Sequence, residues 1–191
     1  MKNFYKKQNK GFTLIEMIIA VFIFTVSLTA LMTVSARGLR AANLAQKQVV
    51  ADYLALEAIE AVRNLRDTEL LDGDSVSAWS DLFDKNNCWS ESMVSGSASG
   101  CGVLYNSSPF EIIVFPCNNG SDDCNMFYNE SDFAYRQFVE GVPSGSYKEY
   151  VFTREIKFRT IPSNDDEIII TVVVAWDKGE VEYTENLFMW I

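Results

Sequence analysis

An uncharged stretch of twenty residues, Met17–Ala36, constrains the fold of this chain more than any other feature. Twenty residues of α-helix span about 30 Å, the thickness of the hydrocarbon core of a bilayer. Residues 1–10 contain four lysines and no acid, and the positive-inside rule keeps such a basic end in the cytoplasm. The sequence therefore predicts a single membrane-spanning helix with a cytoplasmic N-terminus and the remaining chain across the membrane.

Two simpler interpretations of this segment are an ordinary signal anchor and a secretory signal peptide cleaved after Val34-Ser35-Ala36. The apolar run is longer than the usual signal-peptide core, and the residues after Ala36 continue a helical pattern. Neither interpretation explains Glu16, an acid at the start of the apolar stretch. A charge deep in a bilayer costs about 2.5–3.5 kcal/mol, less near the interface, and usually marks a partner.

The stretch Lys10–Glu16, KGFTLIE, resembles the processing signal of type IV prepilins and type II secretion pseudopilins. It has a basic leader, a glycine, a phenylalanine and a glutamate five residues after the glycine. The resemblance implies that prepilin peptidase cleaves between Gly11 and Phe12 and that Phe12 becomes N-methylated. It also implies that Glu16 neutralises the N-terminal amine of a neighbouring subunit, because two opposite charges are buried together at less cost than either alone.

The helical pattern continues beyond the membrane segment as an amphipathic helix. Apolar residues recur there at three-to-four spacing, and the next turn signal is Asp72-Gly73-Asp74. Gly38 is either a bend or a tolerated helix glycine. The predicted parts are a leader (1–11), a membrane and assembly half-helix (12–36), an amphipathic half-helix (37–71) and a globular domain (72–191).

The C-terminal half carries strand patterns, whereas the composition of residues 73–107 predicts loops with short helix. The strands are predicted at Phe110–Phe115, Tyr150–Arg159, Ile168–Trp176 and Glu180–Ile191, with a hairpin turn at Asp177-Lys178-Gly179. Ile168–Trp176 is apolar on both faces, which predicts a central strand. The fold class is α+β, a long helix packed on an antiparallel sheet, and the order of the last strands resembles minor pilins of the PilV type and pseudopilins.

Four cysteines, Cys88, Cys101, Cys117 and Cys124, lie in the middle of the chain. An even number in an exported chain predicts two disulfides, and three pairings are possible. Sequential pairing closes the shortest loops and is preferred, with four reduced thiols as the alternative.

The loop between Cys117 and Cys124 carries oxygen ligands suited to calcium, but it lacks a known ligand spacing, so a solvated disulfide loop is preferred. Residues 164–167 are predicted as a solvated turn.

The charge and composition exclude several classes of function. After Lys10, 12 basic residues stand against 26 acidic ones, and a body this acidic repels nucleic acid. The chain has no histidine, so a Ser-His-Asp or Cys-His site is impossible. We therefore expect no enzyme activity, no cofactor and no metal.

A basic cluster of Arg154, Lys157 and Arg159 is assigned to cross-strand ion pairs rather than to DNA binding. For Tyr128, Tyr135 and Tyr147 the sequence does not separate adhesion from loop packing.

The resemblance implies a structural subunit, a minor pilin or pseudopilin of a type IV pilus, a secretion pseudopilus or a competence pilus. Its implied partners are prepilin peptidase, other pilin or pseudopilin subunits, the inner-membrane assembly platform and membrane lipid, without nucleic acid. It implies a cytoplasmic-membrane precursor that later enters an extracellular or periplasmic fibre. The alternative is a binding module at or near the tip that serves adhesion or recognises DNA or a secreted substrate, but Glu16 favours a position below the tip.

Overall fold

The computed structural model describes residues 11–71, 100–107, 110–117, 124–138, 145, 147–161 and 164–188. In this part of the chain one α-helix precedes seven β-strands. The elements are α1 (Leu14–Leu71), β1 (Cys101–Ser107), β2 (Phe110–Pro116), β3 (Asn125–Asn129), β4 (Ala134–Arg136), β5 (Tyr147–Ile161), β6 (Asn164–Trp176) and β7 (Gly179–Phe188). The chain divides into two compact units, Met1–Ala45 and Gln46–Ile191.

In the first unit, the described residues form the short non-helical segment before α1 and the apolar part of α1. Every described side chain from residue 11 to residue 45 is exposed. By length and composition α1 can cross a membrane, and its most apolar window is not buried against other parts of the chain. Gly38 lies inside the helix, and a Cβ built on it meets no atom within 4 Å. Gly38 is therefore a tolerated helix glycine.

In the second unit, the last turns of α1 pack on one face of an antiparallel sheet. The helix contributes Leu54, Ala58 and Val62 to the core, and the sheet contributes Phe152, Ile156, Phe158, Ile170, Val172 and Val174. Burial of such side chains is the main favourable term in folding. The α+β class that the sequence predicts is confirmed, and the arrangement is consistent with the type IV pilin fold.

The sheet is organised around β5, which is long enough to pair with three strands. Its first half pairs with β3, its second half pairs with β6, and Ile156 pairs with Cys101 of β1. β6 lies between β5 and β7, which confirms its predicted central position. The two faces of β6 differ in burial, however: the even-numbered residues from Ile168 to Val174 are buried, whereas Ile169 and Val173 are half-buried.

Two other sequence predictions about strands were wrong. Phe110–Phe115 is not the first strand, because β1 precedes it and pairs with it from Cys101↔Pro116 to Ser107↔Phe110. β1 lay inside the segment predicted as loop, since its glycine and serine content hid a short strand. Gly102 is needed there, because a Cβ on it would lie 2.5 Å from the ring of Phe115. Residues 164–167 begin β6 rather than forming a turn, since polar residues can extend a strand where its end is solvated.

A disulfide joins Cys117, directly after β2, to Cys124, just before β3. Both residues are buried, and the two Cα atoms are 5.4 Å apart. The backbone N–H of Cys117 donates to the carbonyl of Gly100 at 2.8 Å. Cys101 is also disulfide-bonded. Cys88 lies outside the described residues, as does the loop that was considered for calcium, residues 118–123.

We expect the double variant Cys117→Ala, Cys124→Ala to lower the free energy of unfolding by about 2.5 kcal/mol, the loop-closure value for a loop of this length. The cysteines are seven positions apart, and the disulfide reduces the number of conformations that the unfolded chain can adopt. Guanidinium titration of a soluble fragment from Ala41, followed by tryptophan fluorescence, measures the change. Reductant, which also opens the bond at Cys101, should destabilise the parent fragment further. A double variant as stable as the parent would contradict the prediction.

Candidate functional site

The segment before α1 contains the predicted cleavage position. Gly11, Phe12 and Thr13 are not helical, and α1 begins at Leu14. The peptide bond between Gly11 and Phe12 therefore lies outside the helix, in exposed chain. A Cβ built on Gly11 meets no atom of the described residues within 4 Å, so no described neighbour requires a glycine there.

Thr13 caps the start of α1. Its carbonyl accepts hydrogen bonds from the backbone N–H of Glu16 at 3.1 Å and of Met17 at 3.3 Å. Its hydroxyl oxygen lies 3.4 Å from the N–H of Glu16. Threonine followed three residues later by glutamate is the pattern of a capping box. The sequence analysis did not identify this cap, although the letters TLIE carry the signal.

Glu16 lies in the first turn of α1, and its side chain is exposed. A carboxylate at this position interacts favourably with the positive end of the helix dipole, and the capping-box pattern predicts a second local role for it. Glutamine fills the capping-box position as well as glutamate does, but it carries no charge. The local role and a role in charge neutralisation between subunits are therefore separable by substitution.

The apolar residues that follow Glu16 form a helix surface on which no other described residue of the first unit packs. Phe22 is 67% exposed and Met32 is 70% exposed, and the large side chains between them are exposed too. Four hydroxyls in this segment bond to carbonyls of their own helix at 2.8–2.9 Å: those of Thr25, Ser27, Thr29 and Thr33. These bonds to their own helix hide the polarity of the four hydroxyls from an apolar environment.

In the second unit, the three residues of the predicted basic cluster do not lie on one surface. Arg154 is 1% exposed, because it lies on the even-numbered face of β5 with Phe152 and Ile156. Lys157 pairs with Glu155 of the same strand at 3.6 Å, not across strands. Arg159 is exposed. The alternation of β5 already placed Arg154 on the apolar face, and this signal was missed.

The guanidinium of Arg154 is fully engaged inside the core. Its Nε donates to Gln137 Oε1 at 3.0 Å, and its terminal nitrogens donate to the carbonyls of Leu54 and Val103 at 3.2 and 3.3 Å. One terminal nitrogen also lies 3.3 Å from a carboxylate oxygen of Glu57. Burial lowers the pKa of Arg154, and the negative charge of Glu57 opposes this shift.

Gln137 completes the network around this arginine. Its amide nitrogen donates to the carbonyls of Cys124 at 3.1 Å and Arg154 at 2.8 Å, and its oxygen accepts from the N–H of Val103 at 3.1 Å. Nearby, the Tyr105 hydroxyl donates to the carbonyl of Glu57, and burial raises the pKa of Tyr105 to about 12. The network ties α1, β1, β5 and the segment after β4 together, so its role is structural.

The tyrosines considered for adhesion are half-buried and take part in aromatic contacts. The rings of Tyr128 and Tyr135 lie 5.0 Å apart on neighbouring strands. The ring of Tyr147 meets that of Phe138 edge to face at 5.1 Å. These contacts favour packing over adhesion for all three.

Residues 6–32 match a family model described as the prokaryotic N-terminal methylation motif. The match includes Gly11, Phe12 and Glu16, together with much of the apolar part of α1. No curated protein and no solved structure matches the chain. The motif and the apolar helix together indicate anchoring in the inner membrane, and the motif is that of a structural protein rather than an enzyme.

Proposed function

We propose that this type IV prepilin-like chain is a minor pilin or pseudopilin, a subunit that enters a fibre below its tip. The match to the methylation motif supports a structural subunit that prepilin peptidase processes and that assembles with other pilins. The observation that carries the proposal is the sequence from Gly11 to Glu16, placed at the non-helical entry to an exposed apolar helix. The fibre is a type IV pilus, a secretion pseudopilus or a competence pilus.

Processing would cleave the bond between Gly11 and Phe12 and methylate the amine of Phe12. The new terminus would then lie two residues before Leu14, where α1 begins. The residues of the leader, 1–11, would stay on the cytoplasmic side, and the globular domain would face the periplasm or the cell exterior. The exposed position of this bond outside the helix supports the assignment.

Assembly would use the apolar half of α1 and the charge of Glu16. The carboxylate is exposed in the first turn, so it can meet the N-terminal amine of a neighbouring subunit. Ala20, Ala30 and Ala36 are small residues that allow close approach of a second helix. A tip-binding module is the alternative function, and the presence of Glu16 argues against it. The acidic domain, with Arg154 buried, gives no support to nucleic-acid binding.

We expect the membrane-extracted protein to begin with N-methylated Phe12 in cells that contain prepilin peptidase. Mass spectrometry of the N-terminal peptide tests this, and Gly11→Val should leave the leader attached, because a branched side chain hinders close approach of the peptidase. Gly38→Val is the matched control and should be processed normally, since that glycine also has open space around it. A chain beginning at Arg37 would indicate a secreted protein, and an intact leader in the parent would indicate an ordinary anchor.

A further inference from the structure

Two arginines lie directly beyond the uncharged part of α1. Arg37 follows its last residue, Ala36, and Arg40 is three positions further, so the two arginines are neighbours on the helix surface. Both side chains are exposed, and neither makes a hydrogen bond or an ion pair with another described residue. The next acid along the chain is Asp52, about 18 Å from Arg40 along the helix axis. The helix therefore offers these two guanidinium groups no counterion.

The charge of the two arginines is uncompensated in an otherwise acidic chain. Lys47, further along α1, is half-buried, and its Nζ lies 2.7 Å from a carboxylate oxygen of Asp177. After Arg40, 10 basic residues stand against 25 acidic ones, so this part of the chain repels anionic surfaces. Among the described residues of the first unit, Arg37 and Arg40 are the only cations, and their charge is left for a partner outside the chain.

The position of the arginines along α1 matches the far surface of a bilayer. Glu16 precedes the uncharged stretch and Arg37 follows it, and about 32 Å of helix separates the two residues. This length is that of the hydrocarbon core of a membrane. When Glu16 lies at one interface, Arg37 and Arg40 therefore lie among the phosphate groups of the other, within reach of long cationic side chains.

The orientation of the helix does not explain the two arginines. Basic residues favour the cytoplasmic side of a membrane, and the four lysines of the leader outnumber Arg37 and Arg40. On the exported side the arginines work against the orientation that the proposed function requires. A ligand on that side explains them, and the planar donor fork of a guanidinium matches the geometry of a phosphate group.

We propose that Arg37 and Arg40 bind the headgroup phosphates of anionic phospholipids in the leaflet on the exported side, an inference that rests on the proposed function for the orientation of α1. Anionic lipids are favoured over zwitterionic ones because their net charge complements that of the pair. The contact offsets the repulsion between such a surface and the acidic chain beyond Arg40. It belongs to the subunit held in the membrane, and a subunit that enters a fibre gives it up.

Native mass spectrometry of the membrane-extracted chain in detergent, from cells that contain prepilin peptidase, tests the lipid preference. The probes are phosphatidylglycerol and phosphatidylcholine, which share the phosphate group and differ in net charge. We expect phosphatidylglycerol to bind at about 30-fold lower concentration, since each cation near an anionic surface contributes about 1 kcal/mol. The double variant Arg37→Gln, Arg40→Gln should lose this preference. Lys47→Gln is the matched control and should keep it, because the charge of Lys47 is already paired with Asp177.

Equal binding of the two lipids by the parent, or an unchanged preference in the double variant, would overturn the proposal. Glutamine forms helix about as well as arginine, so the substitutions preserve α1. Recovery in sheared fibres separates a lipid from a protein partner, and the double variant should enter fibres at least as well as the parent. Lower recovery would assign the arginines to an acidic group of a neighbouring subunit and would overturn the proposal. A parent that retains its leader would refute the proposed function through its N-terminal peptide alone, before any lipid is added.

Discussion

Arg154→Met should lower the free energy of unfolding of the second unit by about 3 kcal/mol or more, the range for breaking a buried charged network. Methionine fills much of the volume but donates no hydrogen bond. The variant removes the hydrogen bonds that Arg154 donates to Gln137 and to two backbone carbonyls, and it leaves the carboxylate of Glu57 without the charge of Arg154. Guanidinium unfolding of a soluble fragment from Ala41 measures the loss.

Arg159→Met is the matched control, because it removes the same charge from the exposed face of the same strand. We expect it to change the free energy of unfolding by less than about 0.5 kcal/mol, as is usual for surface positions. Arg154→Lys should lie between the two, since a lysine keeps the charge but not the planar fork. Equal losses for the two methionine variants would contradict a special role for Arg154.

Glu16→Gln should reduce the incorporation of the full-length chain into fibres by about 100-fold. This factor corresponds to the cost of burying an unpaired charge in the membrane, about 2.5–3.5 kcal/mol. The uncompensated group in this variant is the N-terminal amine of the neighbouring subunit. Glutamine preserves the capping box with Thr13, so a local effect on the helix start is avoided. Quantitative mass spectrometry of sheared fibres against the membrane fraction measures the change.

The N-terminal peptide of Glu16→Gln should still begin with N-methylated Phe12, because the bond before Phe12 lies outside the helix. Glu60→Gln, at an exposed position further along α1, serves as the control and should enter fibres like the parent. Normal incorporation of Glu16→Gln would leave Glu16 with its capping role alone and would favour the tip-binding alternative.

The sequence predicted the elements whose patterns are long and local. α1 follows from an uninterrupted apolar and then amphipathic run, and the hairpin of β6 and β7 follows from the turn at Asp177 between two strand patterns. β1 was not predicted because Gly102 and its neighbours have the composition of a loop. The glycine is explained only by the fold, in which the ring of Phe115 lies against it. β3 and β4 are five and three residues long, too short for a period to be visible.

The Arg154 network was unpredictable for a different reason. The alternation of β5 indicates which face Arg154 occupies, but no local pattern identifies its partners. Gln137 follows β4, Val103 lies in β1 and Leu54 lies in α1, and only the folded chain brings them to one point. The processing segment is the opposite case. The residues that identify it are neighbours in the sequence, from Gly11 to Glu16, so it could be recognised without the fold.

The packing of α1 on the sheet has a consequence for the order in which the chain becomes structured. The arginine and its acceptor in the helix, Arg154 and Leu54, are separated by 100 residues. If the residues directly after the membrane segment cross first, the apolar face of the helix stays uncovered until β5 and β6 have crossed. Contacts so distant in sequence form slowly. We therefore expect export to outpace folding, with the second unit most vulnerable to periplasmic proteases until its last strands arrive.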